Sequence, residues 1–167
     1  PATADCRVAD RVELLFDWLE AAGCPDVVTL QEVLGERVAE LIRQAAGERC
    51  PFAYHVLEPP LRGQNFTLSR HPVVETNEDP LLGGIRILWH TRIDHPTGTV
   101  DVFNTHLAAG IDNGSAPCAE PCPAECVAAG AVSNRDCQAA QIAGLVERRA
   151  AAGSLRILAG DFNARPE

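Results

Sequence analysis

No methionine occurs among the 167 residues, tyrosine occurs once, and aromatic side chains make up only 5% of the chain. So few rings, without a cluster of basic residues beside them, exclude a surface that stacks nucleobases. Positive charge is also scarce. Fourteen Lys and Arg face twenty-three Asp and Glu, a formal charge of −9, which argues against non-specific affinity for nucleic acid or anionic lipid through the overall field, while a metal-assisted enzyme could still act on phosphates. No run approaches the ~18 apolar residues of a membrane-spanning helix. No fixed-period repeat or low-complexity linker divides the sequence, and no Gly-x-Ser-x-Gly string offers a serine nucleophile. A chain that starts at Pro1 and lacks Met is expected to be a processed or excised segment, and a removed leader would leave no trace.

What is present suits one domain spanning residues 1–167, with 46% apolar and 22% charged residues. Apolar residues at three- and four-residue spacing predict a helix over Val8–Ala22, closed by Gly23, and a second over Glu36–Ala46, closed by Gly47. Between them, Val27-Val28-Thr29-Leu30 reads as a short strand covered on both faces. The middle predicts strands at Phe52–Leu57, Asn65–Ser69, Gly84–Arg92 and Thr99–Thr105, the last two joined across His95-Pro96-Thr97-Gly98. Residues 108–133 lack an apolar period and form a Cys-rich surface excursion. Ser133 and Asp136 resemble a capping box, opening a helix that runs to about Ala151. Leu155–Ala159 reads as another buried strand, stopping at Gly160-Asp161. The fold class is α/β (α+β): sheets flanked by helices.

Three strands end on polar clusters: Gln31 and Glu32, then Asn104, Thr105 and His106, then Asp161 and Asn163. An apolar core does not need such tips. Each has a plain reading alone: Glu32 as a solvated carboxylate near a helix start, His106 as a surface imidazole, and Asp161-Phe162-Asn163 as an Asx turn. Joint placement changes that reading, because ligand sites in helix-covered sheets lie just beyond the strand ends.

The strings Pro25–Val33 (PDVVTLQEV), Asn65–Val73 (NFTLSRHPV), Asn104–Leu107 (NTHL) and Leu158–Ala164 (LAGDFNA) occur in that order. In order and spacing they resemble the successive motifs of the endonuclease/exonuclease/phosphatase superfamily, the deoxyribonuclease-I-like fold, over about residues 7–166. Arg135 and Gln138 resemble it too. The resemblance implies a two-sheet β-sandwich with helices outside, and a phosphoesterase that depends on Mg²⁺ or Mn²⁺. It implies that Glu32 binds the metal, that His106 contacts the scissile phosphate, that Asp161 positions or deprotonates water, and that Asn163 holds a phosphate oxygen. Asn65 and Asn104 would be amides on the substrate. The types suit the chemistry, since a hard cation prefers carboxylate oxygen and keeps waters and substrate phosphate. The implied substrate is a phosphate ester, with nucleic acid, a phospholipid headgroup and a small molecule all open.

Such proteins usually begin with an Asn-bearing strand and end with a strand carrying Ser-Asp-His, and neither stands between Pro1 and Glu167. The chain therefore reads as incomplete at both ends, with sheet edges exposed and poor stability alone. Gln64 stands where Gly is common. Seven cysteines favour a secreted or extracellular setting. Cys118, Cys122, Cys126 and Cys137 are expected to form two disulfides across the excursion, with structural zinc or free thiols as alternatives, and Cys24 to be a core thiol. Trp18 and Trp89 read as packing residues, and Arg62, Arg70 and Arg86, which could approach phosphate, as solvated surface. The rival function is a non-catalytic binding or surface module that keeps the fold.

Overall fold

The computed structural model describes residues 7–57, 65–118 and 120–164. Its elements are α1 (Val8–Ala21), β1 (Val27–Leu30), α2 (Glu36–Arg49), β2 (Tyr54–Leu57), β3 (Phe66–Ser69), β4 (Val73–Pro80), β5 (Ile87–His95), β6 (Gly98–His106), α3 (Ala124–Ala128), α4 (Asn134–Arg149) and β7 (Leu155–Asp161). Two sheets result. One is antiparallel with strand order β1-β3-β2, and the other is β4-β5-β6-β7 with only β6 and β7 parallel.

Four layers follow from the burial pattern. Val12 and Phe16 of α1 and Ala39, Ile42 and Ala46 of α2 pack on Phe66 and Leu68 of β3. Ile142 and Leu145 of α4 cover Leu88 and Phe103 of the larger sheet. Between the sheets, Ile93, Val100 and Val102 meet Val27 and Val73. Because side chains alternate along a strand, Val102, Asn104 and His106 share the face of β6 toward the smaller sheet. Asp101, Phe103 and Thr105 share the face toward α4. One strand thus presents two chemistries.

Several expectations shift. α2 continues through Gly47 to Arg49, because the Arg49 guanidinium bonds Glu13, Asp17 and Glu20 of α1 at 3.0, 2.6 and 2.5 Å and Cys50 is joined by a disulfide to Cys24. Cys24 is accordingly a cross-linked residue, not a core thiol. β4 was not foreseen, since Glu75, Asn77, Glu78 and Asp79 give an outer strand no apolar alternation. Among the described residues β7 pairs only with β6 and is open rather than buried: Leu155 is 61% exposed and Leu158 44%. Trp18 stands 74% exposed while Trp89 is buried.

The excursion contains a 3-10 turn at Gly110–Asp112 and the short α3, so it is not without elements. Disulfides Cys118–Cys122 and Cys126–Cys137 pin it. Ser133 accepts a bond from the Asp136 amide, and the Asp136 carboxylate accepts one from the Ser133 amide, completing the capping box of α4. Such a cap contributes about 1 kcal/mol. Arg62, Gln64 and the seventh cysteine, Cys6, lie outside the described residues.

Candidate active site

Parallel pairing of β6 with β7 sets His106 directly opposite Asp161. Gly160 makes this approach possible. It has φ +149°, and a Cβ there would lie 2.0 Å from the Thr105 carbonyl oxygen, so no other residue fits without moving the strands. His106 Nε2 lies 3.8 Å from Asp161 Oδ2, with the His106 side chain almost buried and that of Asp161 half-exposed.

On the other edge of the ring, His106 Nδ1 lies 3.1 Å from Arg86 Nη1. A guanidinium only donates, so Nδ1 accepts, and the neutral imidazole carries its proton on Nε2, the atom nearer Asp161. Arg86 therefore fixes the tautomer of His106. Nothing in the local sequence signals this partnership, which depends on β5 and β6 being paired.

Beyond Asp161 the chain folds back on itself. Asn163 has φ +48°, its backbone N–H donates to Asp161 Oδ1 at 2.8 Å, and its side-chain Nδ2 donates to the Leu107 carbonyl at 2.7 Å. The Leu107 amide in turn donates to the Asp161 carbonyl at 2.8 Å. The Asx turn read from the sequence is real, and it orients the carboxylate. One amide N–H of Asn163 is committed, and among the described residues the other and the Oδ1 carry no bond.

The tip of β1 joins from the smaller sheet. Gln31 Nε2 donates to Asn104 Oδ1 at 2.8 Å, and Asn104 Nδ2 donates to the carbonyls of Leu30 and Phe66 at 3.2 and 3.3 Å. Asn104 is fully buried. With its side-chain nitrogen and oxygen so engaged, it staples the two sheets at the base of the tips. Asn65 is buried at the start of β3. Gln138, also buried, straps the β6 tip to the β4–β5 loop by accepting from the Ala108 amide at 2.9 Å and donating to Leu82 O at 2.8 Å.

Glu32 follows Gln31 in a left-handed conformation, φ +57°, a backbone state that non-glycine residues adopt at a cost of order 1 kcal/mol and that clusters at functional sites. It is exposed and makes no ion pair among the described residues. It borders a 320 Å³ cleft lined by Arg11, Leu15, Gln31 and Leu34 among others. The structure thus brings His106, Asp161 and Asn163 into one constellation and ties Gln31 to Asn104. Among the described residues no hydrogen bond or ion pair joins Glu32 to that trio.

A helix-flanked pair of facing sheets with polar tips at one end defines a deoxyribonuclease-I-like protein. The chain belongs to the Endonuclease/Exonuclease/phosphatase family, which its sequence matches over residues 3–167. Its fold is similar to that of a humanized Danio rerio (D. rerio) TDP2 carrying 14 mutations (TM-score 0.69, 17% identity, 97% of this chain and 62% of that chain). It is also similar to sphingomyelinase C from Streptomyces griseocarneus (TM-score 0.64, 20% identity, 97% and 59%). A hairpin-deletion mutant of beta toxin from Staphylococcus aureus is a third likeness (TM-score 0.65, 14% identity, 97% and 62%). The chain spans about three-fifths of the length of these proteins. No curated protein sequence matches it.

Proposed function

We propose that the protein is a divalent-metal-dependent phosphoesterase that hydrolyses a phosphate ester by attack of water, acting in an oxidising, extracellular setting. The observation that carries the reading is the His106–Asp161 pair on adjacent parallel strand tips, oriented by Arg86 on one side and by the Asn163 turn on the other. In this reading, Asp161 takes the proton from the attacking water as the new P–O bond forms. His106 Nε2–H donates to a phosphoryl oxygen as negative charge grows there, and the ester P–O bond breaks on the far side, the departing oxygen taking a proton from solvent to leave as the alcohol. The remaining N–H of Asn163 holds a second phosphate oxygen.

The donor set at the tips is hard: the Glu32 and Asp161 carboxylates with nearby amide oxygens, and no thiol. That suits Mg²⁺ or Mn²⁺. Glu32 is the residue that would hold such an ion, which when bound polarises the phosphoryl oxygen and favours hydroxide. The excess of carboxylate is consistent with recruiting one.

The similar proteins widen the choice of ester. One D. rerio TDP2 structure holds a single-strand DNA product, and another neighbour is a sphingomyelinase. A charge of −9 disfavours long polyanions, so short phosphodiesters and headgroups come first. Three disulfides among the described residues support an oxidising compartment. No helix of the described residues is long and apolar enough to cross a membrane.

The test is a panel of phosphodiesters and phosphomonoesters assayed with Mg²⁺ or Mn²⁺. Turnover should vanish on chelation, and Glu32→Ala and Asp161→Ala should each lower kcat by roughly a hundredfold or more. Full turnover in either variant removes that residue from the mechanism. A folded protein inactive on every ester would favour a binding module instead.

A further inference from the structure

At the far end of the sandwich from the candidate active site, three segments bring a second set of ligating atoms together. Asp26 immediately precedes β1, His71 follows β3, whose Ser69 pairs with Val27, and His95 ends β5 at the hairpin. His71 Nε2 lies 3.5 Å from Asp26 Oδ1, and His95 Nε2 lies 3.5 Å from Asp26 Oδ2. The two rings meet edge to face, with centroids 4.5 Å apart. One ligand atom from each of the three residues lies within 4.8 Å of the others. We propose that Asp26, His71 and His95 form a binding site for a divalent transition-metal ion of the zinc class, bridging the two sheets.

The spacing favours a shared ion over direct pairing. Hydrogen bonds between an imidazolium and a carboxylate close to about 2.7–2.9 Å, and these separations are longer. Ligands ~2.1 Å from a tetrahedral ion stand ~3.4 Å apart along each edge, close to the separations seen. Two imidazoles and one carboxylate form a donor set of borderline softness that prefers zinc or copper to magnesium. Water would complete the coordination.

The backbone around the site is already fixed. The Arg70 amide donates to Asp26 O and the Asp94 amide to Pro72 O, each at 2.9 Å, and Ser69 Oγ bonds both the carbonyl and the amide of His71. His95 Nδ1 lies 2.7 Å from Thr97 Oγ1. The Thr97 amide donates to the same Nδ1 at 3.2 Å, which holds the ring by its Nδ1 edge and turns Nε2 toward Asp26. Arg70 Nε, 3.4 Å from Asp26 Oδ1, competes for the carboxylate and weakens the site.

Zn²⁺ titration of the chelator-treated, disulfide-intact protein, with excess Mg²⁺ present, tests the site by calorimetry. One equivalent should bind with micromolar affinity, and the melting temperature should rise by several degrees at saturation. His95→Asn and Asp26→Asn should each weaken binding by tenfold or more. Diethyl pyrocarbonate footprinting of the unsubstituted protein keeps the test sound if a variant misfolds: Zn²⁺ should shield His71 and His95. Binding unchanged in both variants, shielding at His106 instead, or no saturation below millimolar Zn²⁺ would overturn the assignment. None of these readouts depends on catalysis, so they stand apart from the proposed hydrolase activity.

Discussion

Two histidine–aspartate pairs sit on opposite faces of the larger sheet, and their surroundings make them opposites. His90 Nε2 and Asp101 Oδ1 are 2.7 Å apart and both wholly buried. Asp101 also accepts from Arg92 Nε at 2.8 Å, the Ala151 amide at 2.7 Å and Ser154 Oγ at 2.5 Å, and His90 stacks on Phe103 with centroids 4.8 Å apart. Burial pushes the Asp101 carboxyl up, but bonds from Ser154, His90, Ala151 and Arg92 outweigh it and hold the carboxyl down at about 2. His106 and Asp161, in contrast, are 3.8 Å apart with the carboxylate half in water. The difference lies in spare capacity: Asp101 has none, while the Asp161 carboxylate still has room for a ligand.

If the contrast is right, the largest effect falls on stability at the buried pair. Asp101→Ala strands His90 and Arg92 without their acceptor and should cost about 3–5 kcal/mol, read by urea unfolding. An unchanged midpoint would show the pair to be dispensable. Next, His106→Asn should lower kcat by about a hundredfold while moving the melting temperature only slightly, and His90→Asn should do the reverse. Equal effects on both measurements in both variants would erase the distinction.

Acid should separate the pairs further. The carboxyl of Asp101 titrates at about 2 in the fold against an ordinary 3.8, so its contribution is complete above pH ~4 and is lost as pH falls toward 2. The loss is about 2 kcal/mol. Unfolding free energies at pH 5 and pH 2.5 should therefore diverge more in the native protein than in Asp101→Asn. The smallest effect belongs to Arg86→Met, which frees His106 to change tautomer and should lower kcat about tenfold while altering the pH–rate profile. An identical profile would remove Arg86 from a positioning role.

Much of this architecture was legible because short-range signals state it. The β-branched run Val27–Leu30, the spacing of Leu15 and Leu19, the Ser133 and Asp136 cap, and the polar tips at His106 and Asp161 all became the elements expected. What escaped depends on partners remote in sequence. Gly47 reads as a stop until Arg49 finds three carboxylates on α1. Glu75 to Asp79 carry no apolar alternation to mark a strand, and only the fold shows Asp79 receiving two bonds from Arg149 of α4 at 2.8 and 2.6 Å. Leu155–Ala159 is apolar enough for a core, and only the strand order shows it pairing on one side alone among the described residues. His90 and Asp101 are likewise mute in the sequence, since only the β5–β6 register brings them together.

The separation between the two strand tips is set by missing atoms. At Gly160 the backbone of β7 presses against the Thr105 carbonyl where a methyl group would have to go, so even alanine would act as a wedge between β6 and β7. The wedge would lift the last turn of β7 away from His106 without touching any group that meets a substrate. Tolerance to replacement should thus fall to its minimum at a position that carries no functional group at all.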